Sequence, residues 1–146
     1  MPGARIPSTD HLARLCGGTK CDENGRPLGA AFMMRTVDDS LSVNWLEVTG
    51  ASSREDQLEA IRGHLLNKDM KLRATARLAV LQIASAFQFV QMHAEGFELS
   101  AYHEQELPHD PSHAGIYGYT AQDQVVADLL AMSVNEHYSA QGPDSD

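Results

Sequence analysis

The 69 residues that follow Arg77 contain no lysine and no arginine. They carry ten of the twenty carboxylates and five of the seven histidines, whereas all eleven cations lie at or before Arg77. The net charge of −9 argues against non-specific binding to nucleic acid, because neutralising phosphates requires a dense cationic surface. Six of the eleven cations fall between Arg54 and Arg77, so an anion site should be sought there.

Cysteine is scarce, and long apolar runs are absent. Cys16 and Cys21 are the two cysteines, and the chain opens without an apolar leader, which predicts reduced thiols and a cytoplasmic location. No stretch approaches the roughly 20 apolar residues of a membrane helix, so we expect no membrane association. A length of 146 residues with 42% apolar content suits one domain with a real core.

The ends of the chain are polar and contain proline and glycine. We therefore expect disordered ends at residues 1–9 and 139–146 and a single compact domain at 10–138. The order of the predicted elements favours an α+β fold, with a mixed, mostly antiparallel sheet of five to six strands and three main helices.

Local patterns locate these elements. Leu41 to Trp45 alternates apolar and polar residues as a strand does, and Ser52 followed by Glu55 is a capping-box pattern that opens a helix. Residues 72–94 could form one long helix, but we favour a strand followed by a helix. The predicted strands are 30–35, 41–45, 77–83, 97–103 and 113–117, with a hairpin connection at 37–40. The predicted helices are a brief one at 10–15 and longer ones at 52–66, 84–94 and 122–136, the last with Val125, Val126, Leu129 and Met132 inward.

Three segments form a joint pattern: Asp10-His-Leu-Ala-Arg-Leu-Cys16, Leu41-Ser-Val-Asn-Trp-Leu-Glu47 and Asp110-Pro-Ser-His-Ala-Gly-Ile-Tyr-Gly118. Together they resemble a group of small uncharacterised bacterial proteins. The resemblance runs from about Asp10 to Tyr138. It implies a bacterial origin and one compact domain, and it carries no known activity from which a catalytic role could be transferred.

A polar cleft is one candidate site. It would join His11, Arg14, Arg35, Asn44 and His113, because guanidinium groups can hold a phosphate and an imidazole can act as acid or base. The alternative is that these side chains serve as a helix cap, a surface ion pair and the exposed polar side of a strand. All the guanidinium groups come from the first half, so Arg14 or Arg35 must reach His113 for such a site to form.

The histidines of the second half are a candidate metal site. His103, His109 and His113 alternate with carboxylates and suit zinc, iron or manganese by ligand type. Their spacing matches no standard zinc signature, so a solvated acidic loop is the preferred interpretation. The cofactor is left unknown, with a divalent metal not favoured. A nucleophilic pair of Cys16 and His113 is a further alternative, which requires hydrogen-bond reach between thiol and imidazole.

Two functions of different classes remain. The first is a small accessory protein that acts with a larger protein partner, or with its own copies, through the acidic C-terminal half. The second is a small hydrolase or nuclease-like enzyme that uses the histidines and arginines of the cleft on a phosphate-containing substrate. The sequence leaves open whether the protein is an enzyme.

Overall fold

Six strands form an antiparallel sheet, and three helices cover its two faces. The computed structural model describes residues 3–143, and the bounds below refer to that range. The strands are β1 (His11–Cys16), β2 (Leu41–Trp45), β3 (Arg77–Gln82), β4 (Ser100–His103), β5 (His113–Tyr117) and β6 (Glu136–Ser139). The helices are α1 (Arg54–Asn67), α2 (Ile83–His93) and α3 (Gln124–Met132). The predicted α+β fold is confirmed.

The strands lie side by side in the order β4-β5-β2-β1-β3-β6, and all five neighbouring pairs are antiparallel. Because side chains alternate along a strand, β1 sends Leu12 and Cys16 to one face and Ala13 to the other. The face of Leu12 packs against α2 and α3 and is called the two-helix face below. The face of Ala13 packs against α1 and is called the one-helix face.

Helix α1 begins one residue later than its predicted capping box. The Ser53 side chain is the cap and accepts a hydrogen bond from the backbone N–H of Asp56 at 3.1 Å. Three apolar side chains of α1 then face the sheet, as the sequence pattern predicts. They are Leu58, Ile61 and Leu65.

The brief helix predicted at residues 10–15 is wrong, because this segment is β1. The strand lies between β2 and β3, so apolar residues point to both faces, and the alternation that identifies an exposed strand disappears. The strand predicted at 30–35 is also wrong. A 3-10 helix at Gly29–Phe32 takes its place and packs on α3, so residues 37–40 do not connect a hairpin.

The last helix is shorter than predicted and is followed by a sixth strand that the sequence pattern missed. Helix α3 ends at Met132, and β6 pairs with β3 as the edge of the sheet. Val126 and Leu129 are buried as expected, whereas Val125 and Met132 face outward. The predicted helix of 122–136 therefore ran past the nine-residue helix into the connection that leads to β6, an edge strand of largely polar sequence.

The N-terminal segment lies alongside β4. Gly3 donates its backbone N–H to His103 O at 2.8 Å, Ile6 donates to Ala101 O at 2.9 Å, and the Ile6 side chain is buried. At the other end, Ala140 is buried and follows β6 directly. Residues 1, 2 and 144–146 of the predicted ends lie outside the described residues. Within 3–143, no helix has the length and apolar character that crossing a bilayer requires.

Candidate functional site

The predicted polar cleft is divided between the two faces of the sheet. Arg14 lies on the two-helix face, where its Nε donates to Ala31 O at 3.0 Å and its Nη1 to Ser42 O at 2.8 Å. Burial lowers the pKa of the Arg14 guanidinium, although nearby Asp38 acts in the opposite direction. Through these two hydrogen bonds Arg14 holds the 3-10 helix against β2, which is a structural role.

Arg35 is largely exposed and does not line a buried cleft. Its side chain is 81% exposed, and it forms an ion pair with Asp38 three residues later, with Nη2 2.9 Å from Oδ1. The hydrogen bond from Arg35 lowers the pKa of the Asp38 carboxyl. The pair stabilises the turn before β2 and brings neither group to His113.

His11 and His113 both belong to the one-helix face, but each imidazole has its own partner. The Nδ1 of His11 lies 2.6 Å from Glu47 Oε2, and the backbone N–H of His11 donates to Glu47 Oε1 at 2.8 Å. The Nδ1 of His113 lies 2.9 Å from the backbone oxygen of Glu104. Both contacts tie a strand to an adjoining segment, and Arg14, on the opposite face, reaches neither imidazole.

Asn44 is the one member of the predicted cleft that lies at the centre of a polar cluster. It is almost fully buried on the one-helix face, and its Nδ2 donates to Asp110 Oδ1 at 2.8 Å and to Ser112 Oγ at 2.9 Å. Ser112 and Asp110 are themselves fully buried. The Nδ1 of His64, on α1, lies 2.8 Å from Ser112 Oγ. We call these residues, together with Lys68, the Asp110 cluster.

Lys68 supplies the positive charge of this cluster. Its Nζ lies 2.8 Å from Asp110 Oδ2 and 2.8 Å from Glu106 Oε1. Burial alone would raise the pKa of Asp110, but the ion pair with Lys68, helped by hydrogen bonds from Asn44 and Ser112, outweighs it and lowers that pKa. For the same reason the two carboxylates raise the pKa of Lys68 against the effect of burial. The pair is therefore charged at neutral pH.

The Asp110 cluster contains a serine, a histidine and an aspartate, but not in the arrangement of a nucleophilic triad. The hydroxyl of Ser112 is fully buried, so a substrate cannot approach it. Asp110 bonds to Ser112 and Asn44, whereas a triad requires it to orient the histidine from the side away from the serine. The cluster instead joins the end of α1 to the loop before β5.

The predicted metal ligands lie on different faces. The ring of His103 packs edge-on against Trp45 with centroids 5.1 Å apart, and its Nε2 lies 2.7 Å from Pro111 O. His113 points to the other face, and His109 is exposed on the loop between them. Within residues 3–143 no three His, Cys, Asp or Glu side chains are grouped closely enough to hold a metal ion. The proposed trio therefore does not form a site.

Neither cysteine has the surroundings of a nucleophile. Cys16 is fully buried on the two-helix face, and burial raises its pKa to about 12. His113 belongs to the opposite face of the sheet, so it cannot serve as a base for that thiol. Cys21 is a free, half-buried thiol whose pKa is also raised by burial. Both thiols are protonated at neutral pH.

The outer surfaces of α2 and α3 are nearly free of charge. Of the 20 residues in the two helices, Asp128 is the one Asp, Glu, Lys or Arg. Three large apolar side chains project from these surfaces: Met92, Val125 and Met132 are 78%, 61% and 63% exposed. Helices on the surface of a monomer usually carry charged residues on the outer side. We call this region the charge-poor surface, and it is the candidate functional site.

Carboxylates border the charge-poor surface. Glu95 and Glu98 follow α2 and are exposed, and Asp128 is exposed on α3 itself. Arg26, from the first half of the chain, reaches the far end of α3, where its Nη2 lies 3.3 Å from Ala131 O and from Met132 O. This contact satisfies carbonyls at a helix C-terminus, where a cation is favoured.

Sequence reasoning missed two parts of these arrangements. His64 and Lys68 were not recognised as partners of Asp110, although they are four residues apart and therefore lie on the same side of α1. Val125 and Met132 were assigned to the core, because an apolar residue in a short helix does not reveal which side it occupies. A search of protein-family models, of curated proteins and of solved structures found no match to this chain.

Proposed function

We propose that this chain is a small accessory protein that binds a larger protein partner through the charge-poor surface. The observation that carries the proposal is the pair of helices with one charged residue in 20 and three large apolar side chains mostly exposed. Methionine is enriched, and charged residues are depleted, at the centre of protein interfaces. Burying such side chains is favourable by roughly 25 cal/mol for each Å² removed from water.

The acidic half of the chain supports this proposal in a modified form. Glu104 and Glu106 belong to this acidic half, but they are engaged within the protein. Glu106 pairs with Lys68, and Glu104 accepts a hydrogen bond from the Tyr117 hydroxyl. Glu95, Glu98 and Asp128 are the carboxylates available beside the charge-poor surface. A partner with an apolar patch bordered by lysine or arginine fits them, because complementary charges speed association and fix its orientation.

The experiment is co-purification of the tagged full-length protein from its source cells, followed by binding measurements with the purified partner. We expect Val125→Glu and Met132→Glu to weaken binding by about tenfold or more, since each places a charge in an apolar interface. Val37→Glu is the matched control, because Val37 is 80% exposed on a loop outside this surface. Raising the salt concentration should also weaken association.

Two results would count against this proposal. One is a protein that is found alone in its cellular complexes and stays monomeric by light scattering at high concentration. The other is a partner whose affinity is unaffected by the α3 substitutions. A dimer that Val125→Glu dissociates and Val37→Glu does not would instead assign the same surface to contact between copies.

The hydrolase hypothesis has less support from the geometry. Its arginines and histidines are spread over both faces of the sheet, and Arg35 is itself exposed and paired with Asp38. If the hypothesis is right, His113→Ala should remain folded and lose an activity that the native protein has. Assays with phosphate esters on both proteins would test it directly.

A further inference from the structure

The exposed side of α3 carries a single charge, and that charge lies between two apolar side chains. Val125, Asp128 and Met132 are spaced by three and four residues, so they follow one line along the helix. Val125 and Met132 are 61% and 63% exposed, and Asp128 is exposed as well. A partner that covers both apolar side chains must therefore also cover the carboxylate.

Asp128 is held in this position without a counter-charge. Its carboxylate lies over Gly29 of the 3-10 helix that packs on α3, and a Cβ at residue 29 would overlap Asp128 Oδ1. In the part of the chain that the structure describes, no lysine, arginine or histidine forms an ion pair with Asp128, and no group donates a hydrogen bond to it. The carboxylate is therefore available to a group from another molecule.

Arg26 lies near Asp128 but does not neutralise it. A cavity of about 250 Å³ between the 3-10 helix and the end of α3 is lined by both side chains and by Leu28 and Met132, which are 45% and 63% exposed. Arg26 Nη2 donates to Ala131 O and to Met132 O, at 3.3 Å each. The guanidinium is thus engaged by the helix C-terminus. An apolar depression remains open beside the unpaired carboxylate.

A second copy of the chain does not complement this side of α3. Two copies in a closed dimer are related by a two-fold axis, so the same surface meets itself. If the two α3 helices pack parallel, Asp128 meets the Asp128 of the other copy. If they pack antiparallel with Val125 against Met132, the axis passes midway between these residues, which again brings the two Asp128 side chains together. Like charges placed opposite each other in a contact are unfavourable.

We infer, on the basis of the proposed function, that Asp128 selects the partner. It favours a protein surface that presents a lysine or arginine between apolar side chains, and it excludes pairing with a second copy. A cation opposite Asp128 supplies the missing counter-charge, while the flanking apolar side chains cover Val125 and Met132. One of these side chains can fill the cavity beside Leu28. Specificity then arises from a repulsive element as well as an attractive one.

The test uses a variant of the protein as a substitute for the partner. Asp128→Lys retains the apolar side chains and places a cation between them. The native protein alone and the variant alone should remain monomeric. NMR titration of isotope-labelled native protein with the unlabelled variant, up to about 1 mM, should show saturable shifts along α3. We expect this mixed contact to be at least about tenfold tighter than the contact of either protein with itself.

Two further variants make the assignment specific. Asp39→Lys is the matched control, because it makes the same charge change at an exposed loop position outside α3, and it should not bind the native protein. Asp128→Asn removes the charge with little change of shape and should associate with itself about fivefold more tightly than the native protein does. Circular dichroism checks that each variant is folded. If Asp128→Lys fails to fold, the result for Asp128→Asn decides the question.

Three outcomes would overturn the role of Asp128. They are a native protein that dimerises through α3, a mixture with Asp128→Lys in which no contact forms, and an Asp128→Asn protein that associates no more tightly than the native one. The proposed function fails separately. If Val125→Glu releases a cellular partner but the mixture stays monomeric, the partner-binding surface stands and the role of Asp128 does not. A mixed contact without any cellular partner would support the role of Asp128 and contradict the proposed function.

Discussion

Lys68 Nζ lies 2.8 Å from Asp110 Oδ2, and this contact ties the end of α1 to the loop that precedes β5. Asp110 is fully buried, so its charge needs a partner inside the protein. Asn44 donates to the other carboxylate oxygen from β2. The loop between β4 and β5 is therefore attached both to the end of α1 and to β2. Asn44, which the sequence indicated as a site residue, has a structural role in this attachment.

Asp110→Asn should destabilise the protein by about 3 kcal/mol, because it leaves the partly buried Lys68 without its fully buried counter-charge. Urea unfolding followed by circular dichroism measures this loss. Glu106→Gln is the matched control: it removes the other carboxylate of Lys68, but Glu106 is half exposed, so we expect less than about 1 kcal/mol. Equal losses of unfolding free energy in the two variants would show that the burial of Asp110 does not strengthen its ion pair with Lys68.

The same aspartate should make the free energy of unfolding fall at acidic pH. Its pKa is lowered in the folded state, because Lys68 outweighs burial, so the unfolded chain binds the proton more readily. Asp110 then contributes stability that is present above its ordinary pKa of about 3.9 and is lost as the pH falls through its folded pKa. Urea unfolding at a series of pH values should show a shallower decline below about pH 4 for Asp110→Asn. Parallel curves for the two proteins would contradict the assignment.

Sequence alone predicted the strands whose apolar and polar residues follow a clear local pattern. The bounds of β2, Leu41–Trp45, and β5, His113–Tyr117, match the prediction. Strand β3 ends one residue earlier than predicted, and α2 begins and ends one residue earlier. The failures have physical causes. Strand β1 is covered on both faces and so lacks alternation, and β6 is a polar edge strand whose pairing with β3 is a long-range contact.

The site was less predictable than the fold for the same reason. Residue type indicated which groups could act, but the face of the sheet decides which of them meet. Arg14 and His11 are three residues apart in one strand and so lie on opposite faces. Lys68 and Asp110 are distant in sequence and carried no mutual signal, yet they are in contact.

The two thiols should differ in reactivity. Burial raises the pKa of Cys16 to about 12, and the residue is fully covered, whereas Cys21 is half-buried. Alkylation requires the thiolate and access, so iodoacetamide at pH 8 should modify Cys21 and leave Cys16 intact over the same period. Mass spectrometry of the digested protein measures both sites, and the same reaction in urea is the control in which both should react. Comparable rates in the native protein would contradict the burial of Cys16.

Two glycines provide a matched pair for testing the packing of the sheet. Gly118 follows β5 with φ +118°, and a Cβ there would lie 2.5 Å from the backbone oxygen of Glu98. Gly118→Ala should therefore cost about 2 kcal/mol or more, from backbone strain and from displacement of the segment before β4. Gly63 lies within α1, and a Cβ there would meet no atom within 4 Å, so Gly63→Ala should stabilise the protein by about 0.5–1 kcal/mol through helix propensity. Thermal and urea unfolding of both variants checks the signs. A stabilising Gly118→Ala would mean that β5 and the segment before β4 are not packed as closely as the structure places them.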